Sequence, residues 1–407
     1  MARTPGTGPQ RIVVLGAGYA GVLAALRLAG KAGDRARVTL VDPRGVLVER
    51  IRLHQLAAGQ DIAPVPLAHL LRDRPIHFAL DRAAALDLDR GRVMLGAPGA
   101  EPLPFDWLVN ATGSTFAAGV PGVEEHAHRL TGPDAALRLR AALEDVPEGA
   151  TVTVCGGGLT GIELATELAA PHRRVRMLTG GPLGPGLSEQ GRAHVAGVLA
   201  RGGEVVEHAP VARIERGWIE LADGSVLPSD VTVWAGGFTG ANPLAREAGL
   251  AVDASGRMLV DASLRSRSHP NVFGAGDAAL APGLNGGVKL RMACATALPM
   301  AAHASDNVLA ALDGREAKPM RHRYYVQCIS LGRGDGLVQR VDALDAPLPK
   351  VHTGRPAARF KELICRSTLW SLALERRMPG ALTYPKGPHA PYPSEEPTAR
   401  SRKVPIA

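Results

Sequence analysis

Three groups of residues in this chain have the types and spacing to hold a nucleotide. Gly16, Gly18 and Gly21 lie in RIVVLGAGYAG, and Gly156, Gly158 and Gly161 lie in TVTVCGGGLTG. Each is Gly-x-Gly-x-x-Gly after a run of strand-forming residues. In such a turn the first glycine permits the tight bend and the second lets backbone approach a pyrophosphate. The third allows close helix–strand packing, and the helix N-terminus attracts the anion. Asp42 ends the next strand-forming run, RVTLVD, where a carboxylate can accept both hydroxyls of an adenosine ribose. The second copy lacks that acid, because RVRMLTG ends in Thr179-Gly180. Nothing there favours a free 2′-hydroxyl or repels a 2′-phosphate, so NADH and NADPH both remain open. Arg173, Arg174 and Arg176 are near in sequence, but a strand alternates its faces and none is assigned to the site. The third group is FGAGD, with Gly274 and Asp277. A Gly-Asp pair alone marks a turn; after two upstream fingerprints, Asp277 is placed on a hydroxyl of a cofactor's sugar chain.

The elements that must position these residues occur twice. Each fingerprint leads into an apolar-periodic helix and a second strand, then into short alternating strands with turn chemistry. GRVMLGAPGAEPLPFDWLVNATGS does this in the first half and GWIELADGSVLPSDVTVWAGGF in the second, where Asp223-Gly224 is a hairpin turn. Both stretches close on a strand running into small residues: Ala111, Thr112 and Gly113 in one, Gly236 in the other. The duplication implies an α/β fold with two dinucleotide-binding (Rossmann-like) domains, the second inserted in the first. The expected boundaries are 1–120 and 265–320 for the first domain and 121–264 for the second. A small α+β region at 321–378 contains strands YYVQCISLG and GLVQRV and an amphipathic helix from about Ala357 to Met378. The Pro-rich, charged tail 379–407 is expected to be disordered.

Composition narrows the class. The 407 residues are 45% hydrophobic and 21% charged, an ordinary globular balance. No apolar run approaches the roughly 20 residues of a membrane-spanning helix. The opening MARTPGTGPQ has no apolar stretch of a signal peptide, so the expectation is a cytoplasmic protein. The four cysteines are scattered without a close pair, against a disulfide framework, a metal site or a redox dithiol. The net charge of +8 suits an acidic partner or an Arg-rich solvated surface. No basic cluster interleaved with aromatics suggests nucleic acid.

GAGYAG with Asp42, ATG at Ala111 to Gly113, GGGLTGIE and FGAGD together resemble the two-dinucleotide-binding-domain flavoproteins over about the first 310 residues. Within them the chain looks most like the type II NADH:quinone oxidoreductases, since it has no Cys-x4-Cys after the first acidic strand; VERIRLHQLAAG stands there instead. The resemblance implies FAD along the first domain, with Asp42 on the adenosine ribose and Asp277 near the ribityl chain. It implies NADH or NADPH on the second domain, with the nicotinamide on the flavin. Glu163 matches a family glutamate beside the nicotinamide, and equally suits a helix-face carboxylate near a positive N-terminal end. The helix N-terminus with Ala295 and Thr296 would face the flavin's pyrimidine side. The family's glutamine pair is replaced in CATALP by Ala295 and Pro299. The implied activity is electron transfer from NAD(P)H through FAD to a quinone or similar small conjugated acceptor. Reduction of an acidic ferredoxin-like protein, or a redox-sensing role without catalysis, are the alternatives. The C-terminal helix places Phe360, Leu363, Ile364, Trp370, Leu374 and Met378 near one face. That stripe is expected to be covered at a domain or homodimer contact, in preference to a membrane surface.

Overall fold

A computed structural model of the chain describes residues 8–117, 119–169, 173–240, 243–281 and 289–387. Most of the expected tail, 388–407, therefore lies outside the described residues. The first sheet has five parallel strands in the spatial order Val272–Gly274, Trp107–Asn110, Gln10–Leu15, Ala36–Asp42, Ile76–Leu80. Its central strand reads IVVL in the interior because both faces are covered. The helices Tyr19–Ala32 and Cys294–Leu312 pack against each other and the sheet. The second sheet is parallel too, in the order Gly203–Val206, Arg174–Leu178, Thr151–Cys155, Val231–Trp234. The fold is thus α/β with two dinucleotide-binding domains. The edge strand Val272–Gly274 returns from beyond the second sheet to complete the first.

The chain crosses between the two domains on a short antiparallel pair, Ser114–Phe116 with Phe238–Gly240. Leu244, Ala245, Leu250, Met258, Val260 and Leu264 already pack in the first core. The return therefore begins soon after Gly240, earlier than the expected boundary at 265. The hairpin signal at Asp223-Gly224 joins Trp218–Leu221 to Val226–Pro228, with Gly224 at φ 84°.

Beyond residue 325 three antiparallel strands, Val326–Ser330, Gly336–Val341 and Pro347–Thr353, pack through Ile329, Leu331 and Leu337 on the second core. The helix Gly354–Arg377 then runs back to the first domain, where Leu372 joins the first core. Two sequence expectations change here. Leu363, Trp370, Leu374 and Met378 are 48, 56, 37 and 56% exposed rather than covered at a domain contact. The buried side carries Ala357, Cys365, Thr368, Leu372, Glu375 and Arg376. Glu375 is within 3.5 Å of the Arg27 guanidinium, and Arg376 donates to Asp73 at 3.0 Å. The residues from Pro379 to Gly387 are not loose either. Leu382 and Tyr384 pack on the first core, and Arg27 donates to the Leu382 carbonyl at 3.0 Å.

Candidate functional site

Both glycine loops have the form that the spacing demanded. Gly16 lies at φ 90° with its position pressed against the Ala111 carbonyl, and a Cβ on Gly21 would overlap the Gly16 carbonyl oxygen. A Cβ on Gly18 would meet nothing within 4 Å. Gly156, Gly161 and Gly158 repeat this pattern: Gly156 against Ala235, Gly161 against Gly156, and Gly158 free. The helices that start after Gly18 and Gly158 have no side-chain cap, so no capping side chain competes for their first amides. That is the geometry of an anion cradle.

Asp42 is buried, and both its oxygens already take protein donors. Oδ2 accepts the Ala17 amide at 2.8 Å; Oδ1 accepts the Arg44 amide at 2.9 Å and Nε at 3.3 Å. A carboxylate has about four acceptor positions, so capacity remains for a ribose hydroxyl while the same group locks the glycine loop. Ala111 is buried under that loop, Thr112 bonds Asn110 Oδ1 at 2.9 Å, and Gly113 sits at φ 80°. Gly274 completes the neighbouring strand, and its successor Ala275 donates to the Asn110 carbonyl at 3.0 Å. Asp277 Oδ2 accepts the Ser114 hydroxyl at 2.7 Å. Burial holds its carboxyl above the usual range, against the Ser114 bond and the Arg50 charge. Arg50 in turn donates to the Ser114 carbonyl. Ala295 is exposed at the start of Cys294–Leu312, while Thr296 is buried with its hydroxyl 2.8 Å from Tyr324 Oη. These residues line one end of the first sheet and fit an extended dinucleotide such as FAD.

On the second domain Gly236 leaves no room for a Cβ beside the Trp234 ring. Thr179 is buried against Gly157, and its hydroxyl donates to the Gly181 carbonyl at 3.0 Å. The nearby arginines do not approach it. Arg173 donates to the Leu143 carbonyl at 3.1 Å, and Arg176 to Glu204 and the Pro228 carbonyl. Arg174 opens the strand at the end away from the glycine loop.

Glu163 has a partner that sequence reasoning missed. It is 8% exposed, and its Oε1 lies 2.9 Å from Lys361 Nζ of the C-terminal helix and accepts the Ser330 amide at 3.0 Å. Ser330 Oγ is 3.2 Å from His54 Nε2, a buried residue of VERIRLHQLAAG. Burial would raise the Glu163 carboxyl, but Lys361 and His54 outweigh it and hold the group below its usual range. Lys361 is pushed in the opposite sense to its burial, upward, by Glu163. His54 has its imidazole driven down to about 4 by burial. Ser114, Arg50, His54, Ser330 and Lys361 carried no sequence signal, since each acquires its role only from a partner distant in the chain. Among the described residues, no group of His, Cys, Asp and Glu could hold a metal ion.

The model of the pyridine nucleotide-disulphide oxidoreductases matches residues 10–305. An NADH dehydrogenase-like protein of Mycobacterium tuberculosis is 30% identical over 350 residues, 79% of this chain and 86% of its own. The demethylphylloquinone reductase NdbB of Synechocystis is 27% identical over 352 residues, 81% and 86% of the two chains. NDH2 of Plasmodium falciparum, solved in complex with NADH, superposes with a TM-score of 0.75 at 15% identity over 91% of this chain and 99% of that one. With both cradles built and the match spanning both sheets, the chain belongs to the pyridine nucleotide-disulphide oxidoreductase family and is an oxidoreductase of FAD and NADH.

Proposed function

We propose that the protein is a quinone-reductase-type flavoenzyme, transferring electrons from NADH through FAD to a quinone or similar small conjugated acceptor. Support comes from the paired cradles, from the absence of cysteine between Val48 and Gly59, and from the quinone and NADH dehydrogenase names of its relatives. Glu163 is the observation that carries the reading. It joins the second fingerprint's helix to the C-terminal helix through Lys361, in a buried cluster between the domains.

FAD, when bound, supplies a two-electron relay between donor and acceptor. Gly16, Gly18, Gly21, Asp42, Ala111, Thr112, Gly113, Gly274 and Asp277 would hold it. The helix start at Ala295–Thr296 would face its negative end. Gly156, Gly158, Gly161, Thr179 and Gly236 would hold the nicotinamide nucleotide. Lys361 keeps Glu163 ionised, and the Ser330 amide donates to the same carboxylate oxygen, so the two would hold Glu163 toward a bound nicotinamide. We assign the FAD-binding unit to 1–117 with about 241–320, the nucleotide unit to 119–240, and the interface region to 321–387. A finer reading concerns partners: the exposed stripe of the C-terminal helix meets an anionic lipid surface from the cytoplasmic side. Among the described residues, no helix is long and apolar enough to cross a membrane. Anaerobic reduction by NADH followed by an acceptor screen tests the function. Rapid bleaching of bound flavin and reoxidation by naphthoquinones are expected. Reoxidation only by an acidic ferredoxin would overturn it.

A further inference from the structure

Beside the Glu163–Lys361 pair lies a solvent-connected cavity of about 290 Å³, just below the roughly 300–1,000 Å³ usual for small-molecule sites. Three distant segments build it. Gln55 comes from the helix Leu53–Ala57, Ser330 from the end of the strand Val326–Ser330 with Gly332 and Arg333 from the turn after it, and Arg355, Arg359, Lys361 and Glu362 from the C-terminal helix.

Most of these charges are already matched. Lys361 is paired with Glu163, Arg333 with Glu167, and Glu362 with Arg52 and Arg366. Arg355 and Arg359 are left over. They stand one turn apart on the same helix, are exposed, and have no hydrogen bond or ion pair among the described residues. A second observation points the same way. Gln55 is only 2% exposed, its carbonyl takes Arg52 Nη1 at 3.1 Å, and its amide nitrogen donates to nothing in the described chain. Gln55 lines the cavity, so this donor is open to a ligand there.

We propose that this cavity is the acceptor's binding site and that it selects an acceptor with an anionic substituent, a carboxylate or a sulfonate. The charged group sits between Arg355 and Arg359, the Gln55 amide donates to a ring oxygen, and the ring lies toward Lys361. This rests on the quinone-reductase reading and names the substrate class for it. The guanidinium fork matches a two-oxygen anion, whereas a neutral prenylated quinone offers these arginines no partner. The reaction balances as NADH and one proton from solvent giving two electrons and two protons to the quinone, which leaves as the hydroquinone with NAD+.

The test uses the holoenzyme with 1,4-naphthoquinone and 1,4-naphthoquinone-2-sulfonate, in wild type, R355Q/R359Q and R355K/R359K. The sulfonate-to-neutral ratio of kcat/KM should fall by about tenfold in the glutamine variant, mainly through KM, with partial recovery in the lysine variant. An unchanged ratio would overturn the proposal. Calorimetry with 2-naphthalenesulfonate against 2-naphthol decides the same question without turnover. The sulfonate should bind more tightly and lose that advantage in R355Q/R359Q; equal affinities would overturn the assignment. If NADH bleaches the flavin and neither quinone restores it, the quinone-reductase reading fails while the calorimetric result still judges the cavity. Displacement of 2-naphthalenesulfonate by phosphatidylglycerol vesicles would reassign the arginines to a lipid headgroup and overturn the acceptor reading.

Discussion

Glu163 and Lys361 bring two charges into the interior at 2.9 Å, and each is tolerable only because the other is there. Removing the lysine alone leaves a buried carboxylate. Lys361→Met should therefore destabilise the protein by about 3–5 kcal/mol. Lys361→Met with Glu163→Gln should regain most of that loss in urea denaturation; equal destabilisation of both variants would show that the residues are not coupled. The buried histidines give a pH signature. Burial pushes His54 down to about 4, and burial with the Arg291 charge does the same to His322, against about 6.5 in an unfolded chain. Between those values the unfolded chain binds protons that the folded one refuses. Stability is then complete above about pH 6.5 and declines as pH falls toward 4, by roughly 3 kcal/mol per histidine at the limit. Melting temperatures from pH 7 to 4.5 should fall less steeply in His54→Gln/His322→Gln than in wild type; identical slopes would contradict the assignment. Glu163 was legible as a residue placed by its fingerprint. Its partner was not, because Lys361 reads as one charge among several on an amphipathic helix until the hairpin before it sets the helix direction.

At the scale of elements the glycine loops were the most legible part, since Gly16, Gly21, Gly156 and Gly161 each answer a steric demand of the fold and Gly18 and Gly158 leave open space for a ligand. Substitution separates the two roles. A side chain on Gly18 meets no protein atom within 4 Å, so Gly18→Val should leave the fold intact and empty the FAD site by blocking the pyrophosphate. A methyl on Gly21 overlaps the Gly16 carbonyl, so Gly21→Ala should force the helix off the sheet and cost about 1–3 kcal/mol in stability. Flavin absorbance of the purified variants, read beside their melting temperatures, checks both. Full flavin occupancy in Gly18→Val would remove FAD from the first domain. The strand Pro347–Thr353 escaped sequence reading because PLPKVHT carries two prolines, which suit an edge strand and break the usual signature. The C-terminal helix misled for a different reason. Its exposed apolar residues mark a stripe, but the side that packs is built from Ala357, Cys365, Thr368 and Leu372 and from Glu375 and Arg376, whose charges Arg27 and Asp73 compensate. Periodicity locates a face without saying which face the core takes.

For the whole molecule, that inversion leaves Leu363, Trp370, Leu374 and Met378 on the outside, flanked by exposed Arg366 and Arg377. The helix's two acids are withdrawn, Glu362 onto Arg52 and Arg366 and Glu375 into the interior. A two-fold dimer through this surface would set arginines against arginines. An anionic bilayer surface would instead receive the apolar side chains among its acyl groups and the arginines among its phosphates. The protein's net charge of +8 acts in the same sense. Vesicles containing phosphatidylglycerol should therefore co-sediment the protein at low salt, and neutral phosphatidylcholine vesicles should do so weakly. Trp370→Ser/Leu374→Ser should lower partitioning by about tenfold or more, because each side chain contributes on the order of 1–2 kcal/mol of apolar transfer. Raised ionic strength should release the protein by screening the arginines. If the protein instead stays in the supernatant and elutes as a dimer that the double substitution converts to monomer, the stripe is a contact between copies and the charge argument has been outweighed by apolar burial.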